Sequence, residues 1–222
     1  MFLFLVLLLG VSWGQFIPPF TNFNASASGT GYIISGFAYE SDLPSNPVPI
    51  TLIIDTPGQR IGYFLGTAGG NYITTANATY AWNIPNAGGF CFKYAGWTYS
   101  QQVANMNSML SVPFSTPLLS QYIGQFTDLA SCYQRLSYSY YQTGNYVTRI
   151  DFVQPFPTAY GCLPITGSYF FDLRTLDTRS SRDPYFVLPA NCATPVDFCS
   201  VAYPTCSVCA AGCTTSCCSS RK

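Results

Sequence analysis

The chain has 222 residues, of which 8% are charged and 17% aromatic, and its nine basic and nine acidic side chains cancel. A neutral chain offers no basic face for nucleic acid, and a chain so rich in aromatic residues does not remain disordered. It contains no histidine. The Ser-His and Cys-His nucleophile pairs and the histidine ligands of zinc are therefore excluded, and we expect a folded protein that is not an enzyme and has no cofactor.

The chain begins with a short apolar segment, residues 1–14, which ends in small residues at Ser12 and Gly14. It is too short to cross a bilayer and is typical of a secretory signal peptide. No later segment is long and apolar enough to span a membrane. We therefore expect a protein secreted to the extracellular space.

Residues 15–29, rich in proline and serine, predict an irregular lead into one β domain at residues 30–199, and a cysteine-rich tail follows at residues 200–222. Asn24 and Asn77 each begin an Asn-x-Ser/Thr sequon. In a secreted protein such sequons predict glycosylation, and hence surface positions for both asparagines.

Strand-like segments fill the first half of the domain. They are Gly31–Tyr39, Pro49–Asp55, Arg60–Leu65, Tyr72–Ala81 and Gly89–Tyr94. The second and third are joined by Thr56-Pro57-Gly58-Gln59, which favours a type II turn with Gly58 at the position that needs a positive φ.

The alternation stops after residue 96, where Gln101–Leu110 predicts a short helix bounded by Pro113 and Pro117. We expect this region to cover the sheet or the mouth of a pocket. Its apolar side chains are Val103, Met106, Met109, Leu110, Leu118 and Leu119.

Two alternating segments, Tyr133–Tyr141 and Tyr146–Val153, surround a short glycine turn and predict a hairpin. One face carries Leu136, Tyr138, Tyr140, Ile150 and Phe152, and the opposite face carries Arg149 and Asp151. With Met106 and Met109, the apolar face would line a pocket for a hydrophobic ligand. The alternative is that these side chains form a closed, dry core.

The next strand includes Tyr169, Phe171 and Leu173 on one side. A polar break, the apolar segment Tyr185–Leu188, Pro189 and Cys192 follow, and they predict a segment that closes over the sheet. The fold class is therefore all-β and antiparallel, with minor helix.

An ordered set of short motifs resembles the ependymin and ependymin-related proteins. They are the strand ending at Asp55 with Gln59-Arg60 after it, Cys91-Phe92-Lys93, Gly161-Cys162-Leu163-Pro164, Phe170-Phe171-Asp172, and Asp183-Pro184 with Phe186, Pro189 and Cys192. The likeness covers roughly residues 31 to 199.

The resemblance implies a half-open β-barrel of antiparallel strands with an apolar pocket, stabilised by disulfides. It implies a secreted or lysosomal glycoprotein, often a homodimer, that binds lipids or other hydrophobic small molecules and has no catalytic residues. Calcium is implied by the resemblance alone. Asp172, Asp177, Asp183 and Asp197 could supply oxygen ligands, although their spacing matches no known calcium loop.

The resemblance also implies a disulfide between Cys91 and Cys192. Cys162 lacks the N-terminal partner that it has in the family, and Cys132 is the nearest replacement. Five of the ten cysteines lie at or before Cys199 and five lie after it. If every thiol pairs within the chain, at least one bond must join body and tail, and Cys199 is the expected body partner.

The tail Cys206-x2-Cys209-x3-Cys213-x3-Cys217-Cys218 leaves three interpretations open: internal disulfides, cross-links between chains, or a soft metal ion. Two functional hypotheses follow for the whole protein. The first is a secreted, non-enzymatic binder of a hydrophobic ligand such as a lipid. The second is a structural or adhesive coat protein of the extracellular matrix, cross-linked through its tail.

Overall fold

The computed structural model describes residues 31–197, with gaps. The gaps are residues 42, 44, 85–88, 96, 108–109, 112–119, 128–134, 145 and 159–160, and side chains are not described at residues 105, 107, 110–111, 120–127, 135–138, 140 and 153–165.

The described residues form one twelve-stranded sheet with little helix. The strands of the first half are β1 (Tyr32–Glu40), β2 (Val48–Asp55), β3 (Arg60–Phe64), β4 (Asn71–Thr74), β5 (Thr79–Trp82) and β6 (Phe92–Tyr94). Those of the second half are β7 (Leu110–Ser111), β8 (Ser120–Thr127), β9 (Arg135–Thr143), β10 (Tyr146–Thr158), β11 (Gly161–Phe171) and β12 (Val196–Asp197). The described residues contain one α-helix, α1, which spans Tyr99–Asn107.

The strand order is β12-β6-β5-β4-β3-β2-β1-β11-β10-β9-β8-β7, so the sheet is open. Two antiparallel meanders, β1–β6 and β7–β11, meet where β1 pairs with β11. Every pair is antiparallel except β12 with β6. The prediction of an antiparallel all-β fold with minor helix is confirmed, with this parallel edge pair as the exception.

Two details of the predicted elements are wrong. Residues 72–81 form two strands, because the hydroxyl of Thr75 accepts the N–H of Ala78 and donates to its carbonyl, which closes a turn. The turn before β3 is not type II, since Gln59 rather than Gly58 has the positive φ (51°). Gly58 is needed for space instead, as a Cβ there would overlap the carboxylate of Asp55.

The predicted helix is confirmed, but it begins two residues and ends three residues earlier than predicted. The second-half hairpin is confirmed as β9 and β10. The strands β7, β8 and β12 were not predicted. The strand β11 begins at Gly161 and ends at Phe171. Leu173 is 38% exposed, not buried with Tyr169 and Phe171, because the chain turns into a 3-10 helix at Leu173–Thr175.

The main core lies on one side of the sheet, which we call the inner face. Alternate residues of β1 and β2 fill it, such as Ile34 paired with Leu52 and Tyr32 paired with Ile54, and all four are buried. Tyr99, Val103 and Met106 of α1 belong to the same cluster. The helix therefore covers the inner face.

A second, smaller cluster lies on the opposite, outer face of β3–β5. Residues 172–197, which we call the closing segment, bring Phe186 and Leu188 against Ile73 and Trp82 there. The disulfide between Cys91 and Cys192 belongs to this cluster, and Val196 donates its N–H to the Cys91 carbonyl at 2.8 Å. The predicted closure is confirmed, although Tyr185 and Val187 are exposed.

Arg60 holds the closing segment at a second point. Its guanidinium is paired with Asp55 on β2 and, at 2.6 Å, with Asp183 of the closing segment. It also lies 4.4 Å from the centre of the Phe186 ring. The carboxylates raise the pKa of Arg60 against the opposing effect of its burial, so the cation is retained where Asp55 needs a partner.

We expect Gly36→Ala to lower the free energy of unfolding by about 3 kcal/mol. A Cβ at Gly36 would overlap the carbonyl of Phe170, so the pairing of β1 with β11 would have to open. Thermal or urea unfolding measures the change. Phe37→Ala, one residue away with its ring 55% exposed, is the control and should cost less than about 1 kcal/mol. Equal stability of the Gly36 variant and wild type would contradict the close approach.

We expect the double variant Cys91→Ala/Cys192→Ala to lose about 4–5 kcal/mol, because the disulfide closes a loop with a sequence separation of 101 residues. The melting temperature should fall by roughly 10 °C or more. Differential scanning calorimetry of the oxidised protein measures it. A fall of less than about 2 °C would show that the second cluster holds the closing segment without the bond.

Candidate functional site

The helix α1 positions one side of the candidate site. Tyr99, Val103 and Met106 follow the spacing i, i+4, i+7, so they form one stripe, and all three are buried in the main core. The first turn is capped by Thr98, whose hydroxyl accepts the N–H of Gln101 at 3.3 Å. Met106, predicted to line the pocket, is therefore in the interface between helix and sheet.

The strand β10 supplies the facing side. Ile150 and Phe152 are buried in the same cluster as the helix. The ring of Phe152 makes an edge contact with Tyr169, with ring centres 5.0 Å apart, and a Cβ at Gly167 would overlap it. Because Gly167 has no side chain, the Phe152 ring can pack directly over its backbone.

The remaining predicted lining residues are placed only by their backbone. The strand register pairs Tyr140 with Ile150, Tyr138 with Phe152, and Leu136 with Phe126 of β8. The predicted common face of β9 and β10 therefore agrees with the register. The side chains of Leu136, Tyr138 and Tyr140, and the whole of Met109, Leu118 and Leu119, lie outside the part of the chain that is described.

Gln102 is a polar residue in this apolar interface, and the sequence analysis overlooked it. Its side chain is 9% exposed, and its amide oxygen Oε1 has no hydrogen-bond partner among the described residues. The other buried polar side chains are bonded: Asp55 to Arg60, Asn71 to Gly66 and Thr74 to Thr79. The sequence did contain an indication of this burial. Gln102 follows Tyr99 by three residues, so it lies on the same buried stripe of the helix.

Two phenols in this interface stay uncharged. Burial raises the pKa of the Tyr32 hydroxyl, which accepts the N–H of Val147 at 3.2 Å. Burial also raises the pKa of Tyr99. Both phenols are already neutral at pH 7, and Gln102 is a further neutral polar group. The carboxyl of Glu40 is the hydrogen-bond acceptor of Tyr169, a member of the same core cluster.

The aspartates proposed for calcium lie apart, each with its own contacts. Asp172 is paired with Arg174 at 2.7 Å, Asp183 is paired with Arg60, and Asp177 accepts the N–H groups of Arg179 and Ser180. Within the described ranges, no three Cys, Asp or Glu side chains come together as a metal-binding group. Asp197 lies at the edge of the sheet in β12.

The described part of the chain tests one predicted disulfide and places one predicted glycosylation site. The bond between Cys91 and Cys192 is confirmed. Cys132 and Cys199 lie outside the described residues, as do the tail cysteines and Asn24, and the side chain of Cys162 is likewise not described. Asn77 is exposed in the turn between β4 and β5, so its glycosylation stays a prediction at an accessible position.

No protein-family model matches this chain, and no curated protein matches it. The resemblance to ependymins therefore stays a prediction. Among the described residues, the helical segments are too short or too polar to cross a membrane.

We expect acid to weaken the attachment of the closing segment through Asp177. The Ser180 side chain, followed by the Arg179 and Ser180 N–H groups, lowers the pKa of this carboxyl to about 2 from its ordinary 3.8. A carboxyl with a lowered folded-state pKa stabilises the fold above its unfolded-state value, and this contribution disappears as the pH falls towards the folded-state value.

The isosteric variant Asp177→Asn should therefore be less stable than wild type by a constant amount above about pH 5. The difference should shrink below about pH 4 and vanish only below about pH 2. Thermal unfolding of both proteins across this range measures it. A difference that does not depend on pH would show that the charge of Asp177 contributes nothing.

Proposed function

We propose that the protein is a secreted, non-enzymatic carrier that binds a hydrophobic small molecule between α1 and the inner face of the sheet. The observation that carries the proposal is the buried, unpartnered oxygen of Gln102 among the described residues. An amide oxygen left without a hydrogen bond in an apolar interface costs about 1–3 kcal/mol. A ligand that donates a hydrogen bond there would remove this cost.

The neighbours of Gln102 indicate the class of ligand. Tyr99, Val103 and Met106 lie on the same stripe of the helix, and Ile150 and Phe152 belong to the same buried cluster. Methionine and aliphatic side chains suit flexible apolar chains, and a single polar group fixes the orientation of such a ligand. The proposed ligand is therefore a lipid-like molecule with a hydroxyl or another neutral donor at one end.

The size of the sheet supports a curved, half-open barrel around this site. Open, twisted sheets rarely exceed about ten strands without curling or splitting, and this sheet has twelve. Curling towards α1 would make the inner face concave. This is the architecture that the resemblance to ependymins implies, and a concave apolar face is where a lipid-like ligand would lie.

The disulfide supports the proposed compartment. Bonds such as Cys91–Cys192 persist in secreted proteins and are rare in reducing compartments. The exposed position of Asn77 agrees with glycosylation in the secretory pathway.

The cysteines of the tail support a second candidate function, that of a cross-linked coat or adhesive protein. With Cys91 bonded to Cys192, three body cysteines and five tail cysteines remain. Both numbers are odd, so if every thiol is oxidised, at least one tail cysteine must bond either to the body or to another chain. A non-reducing gel separates the two, because only the second candidate gives disulfide-linked multimers.

The test of the carrier function is Gln102→Leu, with Gln101→Leu as its matched control. The control makes the same change one residue earlier, where the side chain is exposed. The test ligands are hexadecanol and its methyl ether, which lacks the hydroxyl donor. The affinity of each is measured by its displacement of a bound fluorescent fatty-acid probe. Wild type should bind the alcohol more tightly than the ether. In Gln102→Leu the ratio of these two affinities should fall by about three- to tenfold, which corresponds to the loss of one neutral hydrogen bond.

The unliganded Gln102→Leu protein should be as stable as wild type or more stable, because an unsatisfied buried oxygen has been removed. Gln101→Leu should retain the preference for the alcohol. Failure of wild type to bind the probe would contradict the carrier function. A Gln102→Leu variant that is destabilised but retains the preference would show that its oxygen bonds to another part of this chain.

A further inference from the structure

The outer face of the sheet carries a strip of exposed aromatic rings that the proposed carrier function does not use. Phe37 and Tyr39 of β1 are 55% and 44% exposed, and Phe170 of β11 is 39% exposed. The register pairs Phe37 with Phe170, and the rings of Tyr39 and Phe170 meet edge to face with centres 5.8 Å apart. The three side chains therefore form one continuous surface, which we call the aromatic strip.

A fixed polar group adjoins the strip on the next strand. The guanidinium of Arg149 on β10 lies 4.8 Å from the centre of the Phe170 ring and 5.0 Å from that of Tyr141. Its Nε donates to Asp151 Oδ1 at 2.9 Å, and the hydroxyl of Ser168 donates to the same oxygen at 2.7 Å. A planar cation held between two rings and a carboxylate has lost much of its freedom before any ligand arrives.

Both charged groups retain hydrogen-bonding capacity towards solvent. The side chains of Arg149 and Asp151 are 41% and 26% exposed. Their contacts with each other and with Ser168 use Arg149 Nε and Asp151 Oδ1. Within the described residues, these contacts leave the terminal guanidinium nitrogens and Asp151 Oδ2 to be shared with a ligand. Donors and an acceptor thus lie side by side next to apolar rings.

On the opposite side of Phe37, the hydroxyls of Ser35 and Thr51 lie 3.1 Å apart, and both residues are half-buried. Ser35 is two residues before Phe37 on β1, and Thr51 on β2 is the residue paired with Ser35. Side chains two residues apart on a strand share a face at a spacing of about 7 Å. The rings are therefore bordered by hydrogen-bonding groups on both sides.

We propose that the aromatic strip, with Arg149 and Asp151, is a binding site for a neutral carbohydrate chain. The ring faces would stack against the C–H faces of pyranose units, and the Arg149–Asp151 pair would bond to adjacent sugar hydroxyls, donating to one and accepting from the next. Aromatic rings with polar groups at their border suit a ligand that is apolar on its faces and polar at its edge.

The chemistry of the strip favours a sugar over two other occupants. Three rings at these exposures present roughly 300 Å², whereas a stable dimer needs about 800 Å² per partner. Anionic lipid surfaces are bound by clusters of Lys and Arg, but here the single cation is paired with a carboxylate. A neutral, hydroxyl-rich ligand of small footprint matches both the size and the balanced charge.

The experiment uses the full secreted, oxidised protein and four neutral polysaccharides: cellulose, chitin, soluble β-glucan and mannan. Depletion or affinity electrophoresis measures binding. Wild type should bind at least one of the four. Phe37→Ala and Phe170→Ala should each weaken that binding at least about tenfold. Arg149→Lys should weaken it comparably, because lysine keeps the charge but loses the planar, bidentate group.

The controls separate this site from the fold and from the inner site. Phe90→Ala removes an equally exposed ring elsewhere, at 57% exposure, and should bind the polysaccharide as wild type does. Gln102→Leu should also bind normally, so failure of the carrier function leaves this result unaffected. Melting temperatures of the Phe37 and Phe170 variants within a few degrees of wild type would show that the loss is local.

Three results would overturn the proposal. The first is that wild type binds none of the four polysaccharides. The second is that binding persists in both Phe37→Ala and Phe170→Ala. The third is that the strip is instead used for phosphatidylcholine vesicles or for self-association, seen as sedimentation with vesicles or as a dimer that Phe37→Ala abolishes.

Discussion

The pairing of β1 with β11 is the contact on which the rest of the structure depends. It joins a meander made from the first half of the chain to one made from the second half, and so makes one sheet. Without it, two smaller sheets would each expose an unpaired edge, which is a site for aggregation. The close approach at Gly36 and Phe170 allows this pairing, and it also places Phe37, Tyr39 and Phe170 side by side on the outer face.

The closing segment explains why the two halves of the outer face differ. The disulfide at Cys192 and the ion pair of Asp183 with Arg60 hold it over β3–β6, where it buries Ile73 and Trp82. It reaches β1 through hydrogen bonds of Asp172 and Thr175 with the backbone of Ser35 and through the backbone bridge of Ile33 with Asp177. The outer face of β1, β11 and β10 beyond that bridge therefore remains exposed, and apolar rings in such a place mark a surface available for binding.

The two faces of the sheet offer different chemistry. The inner face and α1 are apolar, with a single buried amide oxygen that is unpartnered among the described residues. The outer face carries rings and a fixed pair of opposite charges in contact with solvent. An apolar ligand suits the first and a hydroxyl-rich ligand suits the second. Together, the two proposals describe a secreted protein that binds a hydrophobic molecule on one side of the sheet and a glycan on the other.

The sequence by itself determined the class of fold and the local pattern of each strand. Alternation in β10 was enough to put Ile150 and Phe152 on one face and Arg149 and Asp151 on the other, because side chains of a strand point to opposite sides in turn. Likewise, proline and glycine at residues 57 and 58 predicted the turn between β2 and β3, although its type was not the predicted one. The prolines at 113 and 117 predicted an upper bound for the helix, because proline donates no backbone N–H, and α1 ends before them at Asn107.

Only the tertiary structure decided which strands are neighbours and which faces are covered. Nothing local in Phe37 or Phe170 shows that they are partners, since residues far apart in the chain pair only through long-range packing. The same is true of Gln102, whose burial depends on the sheet beneath α1. Local periodicity is a property of the backbone and can be read in sequence, whereas burial and the meeting of distant residues depend on the whole fold.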